Sequence, residues 1–276
     1  MNAAPRIITL TTDFGTSDAY VGIMKGVILG INPNVQVIDI THAVPPQDVH
    51  EASFLIHSAY HYFPKGTIHL IVVDPGVGSD RQAIVCQTDR AFFVCPDNGI
   101  LTYLLQEIEN SGQHPGNIVK IENRAYYLSE VSQTFHGRDI FAPVAAHLSL
   151  GVTLARIGPS VQNLVRLPMP TLEISNDKLM GEIIKTDSFG NAITNISESL
   201  LSRLKSGSTR ETSNYEITVG SVRLKVLNRA YAESKIGESL AIIGSSGLLE
   251  IAVNGGSAET ILRLKRGDTV VIQRFN

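Results

Sequence analysis

The chain has 276 residues, of which 43% are hydrophobic and 18% are charged, a composition typical of a globular protein with one large domain or two smaller ones. Its formal net charge is −3 with acidic and basic residues interspersed, so an extended basic surface for nucleic acid is not expected. No apolar run approaches the roughly 20 residues of a membrane-spanning helix, so the default expectation is a cytoplasmic protein that does not bind membranes.

The first part of the chain alternates β-type and helix-type runs, a pattern that predicts parallel strands joined by crossover helices. Ser17 or Asp18 is expected to cap the first helix and Asp48 the second. The predicted strands cover residues 7–11, 35–40, 67–73, 83–86 and 92–95, and the predicted helices cover residues 18–31, 48–62, 99–109 and 141–150.

Three prolines then interrupt the periodicity and predict a linker, residues 161–172, between an N-terminal domain of residues 1–160 and a C-terminal domain of residues 173–276. Short β-type segments follow, at residues 178–186, 215–219, 221–227, 240–243, 248–253 and 269–273. The predicted fold class is therefore α/β: an N-terminal α/β domain with a mostly parallel central sheet, plus a smaller C-terminal all-β domain resembling a barrel or sandwich.

Asp74 ends the predicted strand 67–73, and Arg81 and His136 follow in the segments Asp74-Pro-Gly-Val-Gly-Ser-Asp-Arg81 and His136-Gly-Arg-Asp139. Ligand chemistry in open α/β sheets usually occurs at the carboxyl ends of strands. At a distance of about 4 Å and an effective dielectric constant near 20, the attraction between a guanidinium and hydroxide is about 4 kcal/mol. This attraction would lower the pKa of the bound water by about three units. Since that leaves water poorly ionised at neutral pH, we expect His136 to accept a proton and Asp74 to orient the water or the imidazole.

Two other interpretations of these residues stay open. Asp74 and Arg81 can be an ordinary surface ion pair, or a cation can be held by the set Asp74, Asp97, His136 and Asp139, as in metallohydrolases. His57 and His61 have the spacing of helical metal ligands, but the sequence offers no evident third ligand. We expect no metal.

Asp13 lies between the first predicted strand and the first helix. Its carboxylate can accept two hydrogen bonds from a ribose diol, or it can cap the helix. The glycine patterns that cradle phosphates are absent, which argues against ATP and NAD, and we expect no cofactor.

Two polar segments of the C-terminal part can also bind a ligand. In the segment 185–195, Asp187 can pair with an ammonium and Asn191 can contact an adenine edge, although a polar β-turn built on Gly190 explains the same residues. The segment 244–254, which includes Ser245, offers hydroxyls and backbone amides suited to a carboxylate.

Together these segments resemble the S-adenosyl-L-methionine hydroxide adenosyltransferase family, relatives of the fluorinase and chlorinase that act on the same substrate. The resemblance runs over nearly the whole chain. It rests on five ordered motifs: Thr12-Asp-Phe-Gly15, Asp74-Pro-Gly-Val-Gly78 with Arg81, His136-Gly-Arg-Asp139, Asp187-Ser-Phe-Gly-Asn191 with Thr194-Asn195, and Ser245-Ser-Gly-Leu-Leu-Glu-Ile-Ala-Val-Asn254.

The resemblance implies hydrolysis of S-adenosyl-L-methionine to adenosine and methionine, without a metal, in a homotrimer whose active sites lie between neighbouring subunits. It implies Asp74, Arg81 and His136 as the catalytic residues. The substrate-binding residues that it implies are Asp13 on the ribose, Asp187 and Ser245 on the methionine end, Asn191 and Tyr231 near adenine, and Asn254. A sensor that binds S-adenosyl-L-methionine or adenosine without catalysis, and a metal-dependent nucleotide hydrolase, are the alternative functions.

Overall fold

A computed structural model describes residues 7–205 and 215–274 of the chain. The chain separates after Leu167 into two compact units, which we call the N-terminal unit and the C-terminal unit. Within the described ranges, no helix has the length and apolar character needed to cross a membrane.

The N-terminal unit contains a six-stranded sheet. Its strands are β1 (Ile7–Thr12), β2 (Gln36–Thr41), β3 (Thr67–Val72), β4 (Ala83–Gln87), β5 (Ala91–Pro96) and β6 (Ile118–Lys120). They lie in the order β2-β1-β3-β5-β4-β6. The pairs β1–β2, β1–β3 and β3–β5 are parallel, whereas β4 is antiparallel to β5 and β6, so the predicted mostly parallel sheet is confirmed.

Two hydrophobic clusters pack on this sheet, one on each face. On β3, Leu70 belongs to one cluster and Ile71 to the other, because successive side chains of a strand point to opposite faces. The helices of this unit are α1 (Tyr20–Ile31), α2 (Val49–Ala59), α3 (Thr102–Asn110), α4 (Ala142–Ser149) and α5 (Leu154–Ile157), with 3₁₀ turns at Tyr60–Tyr62 and Arg124–Tyr126.

The two predicted helix caps have different outcomes. Asp48 caps α2, since its Oδ1 accepts a hydrogen bond from the backbone N–H of Glu51 at 3.0 Å, which confirms that prediction. The predicted cap at Ser17 or Asp18 is wrong. Helix α1 begins only at Tyr20, and Ala19 occupies the N-cap position, where it has no side chain that can accept a hydrogen bond.

The C-terminal unit is built on a nine-stranded sheet. Its strands are β7 (Glu173–Ile174), β8 (Lys178–Thr186), β9 (Ala192–Ser197), β10 (Tyr215–Val219), β11 (Val222–Leu224), β12 (Leu227–Asn228), β13 (Ser239–Ile243), β14 (Leu248–Val253) and β15 (Thr269–Arg274). Helices α6 (Glu198–Lys205) and α7 (Ala258–Ile261) and a 3₁₀ turn at Tyr231–Glu233 accompany them.

The strands of this sheet follow the order β11-β10-β15-β8-β9-β14-β13-β12, with β7 paired to β8. All the pairs are antiparallel except β12–β13. Strand β11 near one edge also contacts β13 near the other, so the sheet nearly closes into a barrel around Leu179, Ile217 and Leu249. The predicted all-β architecture is confirmed.

Candidate active site

Asp74, Arg81 and His136 form one hydrogen-bonded cluster just beyond the carboxyl end of β3. Nε of Arg81 donates to Oδ1 and Oδ2 of Asp74 at 3.0 and 2.9 Å, and Nη2 of Arg81 lies 2.8 Å from Nδ1 of His136. The side chains of Arg81 and Asp74 are only 10% and 6% exposed. The interpretation of Asp74 and Arg81 as an exposed surface ion pair is therefore wrong.

The contact with Arg81 determines which nitrogen of His136 carries the proton. A guanidinium can only donate hydrogen bonds, so Nδ1 of His136 is the acceptor and the proton of the neutral imidazole lies on Nε2. Burial lowers the pKa of His136, and the charge of Arg81 lowers it further. The neutral imidazole is thus favoured, with Nε2–H as a hydrogen-bond donor.

A tight turn after β3 returns the chain so that Arg81 faces Asp74. The backbone N–H of Val77 donates to the carbonyl of Asp74 at 3.2 Å, and Oγ of Ser79 donates to the carbonyl of Gly76 at 2.6 Å. Gly78 has a φ of +78°, and a Cβ at this position would lie 2.6 Å from the carbonyl oxygen of Gln133. Glycine is required here because the turn packs directly on the segment that precedes His136.

His136 precedes a π-helical turn, Gly137–Phe141, that leads into α4. The fully buried Asp139 holds this turn, since its Oδ2 accepts hydrogen bonds from the backbone N–H and Oγ of Ser132 at 2.8 and 2.7 Å. Nε of Arg138 donates to Oδ1 of the same carboxylate at 2.5 Å. The segment 132–139 is therefore closed on itself, which fixes the backbone that carries His136.

Asp13, Asp74 and His136 line one cavity of about 320 Å³ in the N-terminal unit. Oδ2 of Asp13 accepts a hydrogen bond from the backbone N–H of Gln47 at 2.8 Å, and Gln47 has a φ of +65°, which is uncommon for a residue with a side chain. Because α1 begins seven residues later with Ala19 at its N-cap, the alternative that Asp13 caps this helix is wrong.

The four residues of the metal alternative are not arranged as a metal site, although Asp74 and His136 lie in one cluster. Asp139 is occupied by Ser132 and Arg138, and Oδ1 of the buried Asp97 accepts a hydrogen bond from the backbone N–H of Val165 at 3.0 Å. In the parts of the chain that the structure describes, no group of three or more His, Cys, Asp or Glu side chains is placed to hold a metal ion. The proposed four-residue metal centre is not supported.

All five predicted substrate-binding residues of the C-terminal unit line a second cavity, of about 740 Å³. They are Asp187, Asn191, Tyr231, Ser245 and Asn254. Segments distant in sequence contribute to it: the turn before β9, the 3₁₀ turn after β12, the β13–β14 hairpin and the end of β14. The sequence-predicted residues thus fall into two cavities, one in each unit.

The segment around Asp187 is the polar turn that its sequence suggested. Oδ1 of Asp187 accepts hydrogen bonds from the backbone N–H groups of Phe189 and Asn191 at 2.9 and 2.8 Å, and its Oδ2 accepts from Nδ2 of Asn191 at 3.0 Å. Gly190 has a φ of +82°, and a Cβ there would lie 2.1 Å from Oγ of Ser257. The turn interpretation is confirmed, and the same turn presents Asp187 and Asn191 to the cavity.

Glu250 also lines this cavity, although it is not among the residues predicted from the sequence. The hydroxyl of Tyr231 lies 3.4 Å from Oε2 of Glu250 and 3.4 Å from Nδ2 of Asn191, so a chain of polar contacts runs from Asp187 to Glu250. Burial raises the pKa of Glu250, and the neighbouring charge of Asp187 raises it further. A signal for Glu250 does exist in the sequence: it is the one charged residue in the apolar run 248–253.

Asn254 and Ser245 enter the cavity wall in different ways. Nδ2 of Asn254 donates to the carbonyl of Ser234 at 2.7 Å, which ties the end of β14 to the loop that follows Tyr231. Ser245 is exposed in the turn between β13 and β14, and this turn is closed by a hydrogen bond from the N–H of Gly247 to the carbonyl of Gly244 at 3.0 Å.

The chain is similar to known proteins over nearly its whole length. Among curated proteins, the chain is 38% identical to an (R)-S-adenosyl-L-methionine hydrolase from Salinispora tropica over 95% of both chains, and 38% identical to one from Thermus thermophilus over 95% of this chain and 97% of that protein. A fluorinase from Actinoplanes sp. is 26% identical over 97% of both chains.

A crystal structure of an uncharacterized conserved protein from Thermotoga maritima matches with a TM-score of 0.86 and 41% identity, covering 97% of this chain and all of that one. The models of the N-terminal and C-terminal domains of SAM hydroxide adenosyltransferase match residues 8–158 and 181–271. These two matches cover both units and most of the chain, and the protein therefore belongs to the SAM hydroxide adenosyltransferase family.

Proposed function

We propose that the protein hydrolyses S-adenosyl-L-methionine to adenosine and L-methionine by attack of water on C5′ of the ribose. The observation that carries the proposal is the partly buried, hydrogen-bonded cluster of Asp74, Arg81 and His136, which borders the same cavity as Asp13. The names of the curated relatives, (R)-S-adenosyl-L-methionine hydrolase, support the same reaction.

The cluster can hold one water molecule with a defined orientation. Asp74 accepts a hydrogen bond from the water, Nε2–H of His136 donates one to it, and the remaining lone pair of the water is directed at C5′. Arg81 fixes both partners through its bonds to Asp74 and to Nδ1 of His136. Because Asp74 offsets the charge of Arg81, the attraction for hydroxide is weaker than that of a free guanidinium, and the nucleophile is water itself.

The proton of the water passes to Asp74 in this mechanism. As the new C–O bond forms, the water oxygen becomes a strongly acidic oxonium, for which a carboxylate is a sufficient acceptor. This differs from the sequence-based expectation that His136 takes the proton, because Nδ1 of His136 accepts from Arg81 and Nε2 is already protonated. The electron pair of the C5′–S bond goes to sulfur, which leaves as the neutral thioether of methionine.

The sulfonium makes the reaction independent of a cofactor. A neutral thioether leaves readily from a positively charged sulfur, so no acid, metal or prosthetic group is required on the leaving side. The task of the protein is to align water, C5′ and sulfur and to hold the water in place.

We assign the binding of the substrate to both cavities. Asp13 accepts hydrogen bonds from the ribose diol, and Gln47 holds its carboxylate in position. In the C-terminal unit, Asn191 and Tyr231 contact adenine and Asn254 shapes the wall beside it. Asp187 pairs with the ammonium of the methionine end, and Ser245 binds its carboxylate.

We further propose a homotrimer in which each substrate is bound by the N-terminal unit of one subunit and the C-terminal unit of its neighbour. Light scattering of the purified protein measures the assembly directly. Co-expression of Asp74→Asn with Asp187→Asn tests the sharing of sites, because random assembly then gives about one quarter of the sites two intact halves. Recovered activity supports shared sites, whereas an inactive mixed trimer from two individually inactive variants contradicts them.

The experiment that tests the proposed reaction is chromatography of S-adenosyl-L-methionine after incubation with chelator-treated protein, with Asp74→Asn as the matched variant. Equal amounts of adenosine and methionine from the unaltered protein, and a large loss with Asp74→Asn, are expected. Unchanged substrate that is nevertheless bound tightly would instead favour a sensor. Activity that is abolished by the chelator and restored by a divalent cation would favour a metal-dependent hydrolase.

A further inference from the structure

Glu250 has a buried carboxylate, and the proposed reaction assigns it no role. It is 7% exposed, lies in β14 and lines the cavity of the C-terminal unit. Among the described residues, its carboxylate accepts one hydrogen bond, from the hydroxyl of Tyr231 at the long distance of 3.4 Å. The groups that shift its pKa by charge or hydrogen bonding are Asp187 and Tyr231, and neither is a cation.

The cavity therefore carries two acids without a base. Asp187 and Glu250 both line it, whereas Lys, Arg and His are absent from the described residues of its wall. The ionised form of a carboxylate is destabilised in a partly buried site unless a positive group lies near it. Here the negative charge of each acid also destabilises the ionised form of the other. Such a cavity favours a ligand that brings a positive charge.

The position of Glu250 indicates which positive group this is. A Cβ on Gly244 would lie 1.7 Å from Oε1 of Glu250, so the carboxylate packs directly against the backbone that leads into Ser245. The proposed function assigns Ser245 to the carboxylate of the methionine end. Because the ammonium and the carboxylate of an α-amino acid are bonded to the same carbon, a ligand whose carboxylate contacts Ser245 brings its ammonium next to Glu250.

We infer that Glu250 binds the α-ammonium group of the substrate and, together with Asp187, selects ligands with an intact amino-acid end. This inference rests on the proposed function and adds a residue to its binding site. Gly244 is part of the arrangement, since any larger residue would displace the carboxylate of Glu250.

Two unreactive ligands separate the amino-acid end from the nucleoside. S-adenosylhomocysteine retains the ammonium and carboxylate, whereas 5′-methylthioadenosine has the same nucleoside and a thioether sulfur but no amino-acid end. Isothermal titration calorimetry of both ligands is carried out on the unaltered protein, on Glu250→Gln, and on Glu173→Gln as a control at an exposed glutamate of β7. Thermal unfolding of each variant verifies that it is folded.

We expect Glu250→Gln to weaken the binding of S-adenosylhomocysteine by roughly ten- to a hundredfold, the effect of losing a charged hydrogen bond. Binding of 5′-methylthioadenosine should change by less than about twofold, and Glu173→Gln should change neither affinity. Equal weakening of both ligands would mean that Glu250 only supports Tyr231, and unchanged affinity for both would mean that it has no role; either result overturns the inference.

The inference and the proposed function can fail separately. If the unaltered protein hydrolyses S-adenosyl-L-methionine while Glu250→Gln binds both ligands normally, only the role of Glu250 is wrong. If the unaltered protein neither hydrolyses S-adenosyl-L-methionine nor binds either ligand, the proposed function is wrong and the inference fails with it.

Discussion

Nη2 of Arg81 lies 2.8 Å from Nδ1 of His136, and this contact determines the chemistry that the imidazole can perform. A donor at Nδ1 leaves the proton of neutral His136 on Nε2, so His136 orients water and Asp74 is left as the proton acceptor. Arg81 is bonded to both and acts as the residue that positions them.

Arg81→Lys tests this positioning role. A lysine ammonium is a point donor without the planar fork of arginine, so it cannot bond to Asp74 and His136 in the same geometry. We expect kcat to fall roughly 10²- to 10³-fold while KM changes by less than about threefold. Steady-state kinetics measure both, with Arg156→Lys as a control at an exposed arginine stacked on Tyr126. An Arg81→Lys variant with unaltered kcat would contradict the role of the fork.

The pH dependence of kcat reports the protonation of His136. Burial and Arg81 lower the pKa of His136 below its ordinary value of 6.5, so the active neutral form persists below pH 6.5 and is lost as the pH falls through the lowered pKa. Protonation places a hydrogen on Nδ1, which can then no longer accept the hydrogen bond from Nη2 of Arg81. His136→Gln keeps an acceptor and a donor but does not titrate, so the acid limb of the kcat profile should lose the step due to His136. An identical acid limb in His136→Gln would show that another group causes it.

Asp139→Asn tests whether the closed segment 132–139 supports the site. The amide cannot accept all the hydrogen bonds that Ser132 and Arg138 donate to the carboxylate, so we expect a loss of roughly 1–3 kcal/mol in the free energy of unfolding. Because His136 lies in this segment, kcat should fall as well. Chemical denaturation and kinetics are compared with Asp18→Asn, an exposed aspartate, which should match the unaltered protein. If Asp139→Asn is less stable but keeps the full kcat, the segment 132–139 does not contribute to catalysis.

Buried His69 predicts a loss of stability in acid. Its Nδ1 lies 2.7 Å from Oγ1 of Thr9, and burial lowers its pKa to about 3. Between its ordinary pKa of 6.5 and about 3, the unfolded chain binds a proton that the folded protein does not bind. Stability should therefore fall as the pH drops through this range, by on the order of a few kcal/mol.

Urea denaturation at several pH values measures this effect. His69→Gln should be less stable at neutral pH, because it loses the packing of the ring on Phe93, but its stability should depend less on pH. His114→Gln, at an exposed histidine, should retain the full dependence. If His69→Gln and the unaltered protein lose stability in parallel, His69 is not the source.

The apolar runs of the N-terminal unit predicted its central strands because buried parallel strands need continuous hydrophobic residues. Strand β6 was not distinguished because it has only three residues, too few to show a periodic pattern. Strand β9 was not predicted because it directly follows the turn at Asp187, and its first residues belong to the same polar segment, 185–195. Helix α1 starts at Tyr20, two residues later than predicted, with Ala19 at its N-cap and Asp18 exposed before it. Capping residues indicate the region in which a helix begins, but the exact first residue depends on the local backbone.

The motifs predicted which residues line the two cavities but not how their atoms are bonded. Nothing in the order of Asp74, Arg81 and His136 along the chain states that Arg81 donates to Nδ1, since this depends on the packing of Gly78 against Gln133. Glu250 was missed for a similar reason. Only the pairing of β14 with β9 and β13, and the absence of a side chain at Gly244, turn its carboxylate toward the cavity.

Hydrolysis in water labelled with heavy oxygen tests the central claim most directly, because the position of the label identifies the atom that water attacks. Mass spectrometry of the products should find one labelled oxygen in the 5′-hydroxyl of adenosine and none in methionine. Unlabelled adenosine, or the formation of 5′-methylthioadenosine with a labelled homoserine, would contradict attack of water on C5′ and with it the proposed role of Asp74, Arg81 and His136.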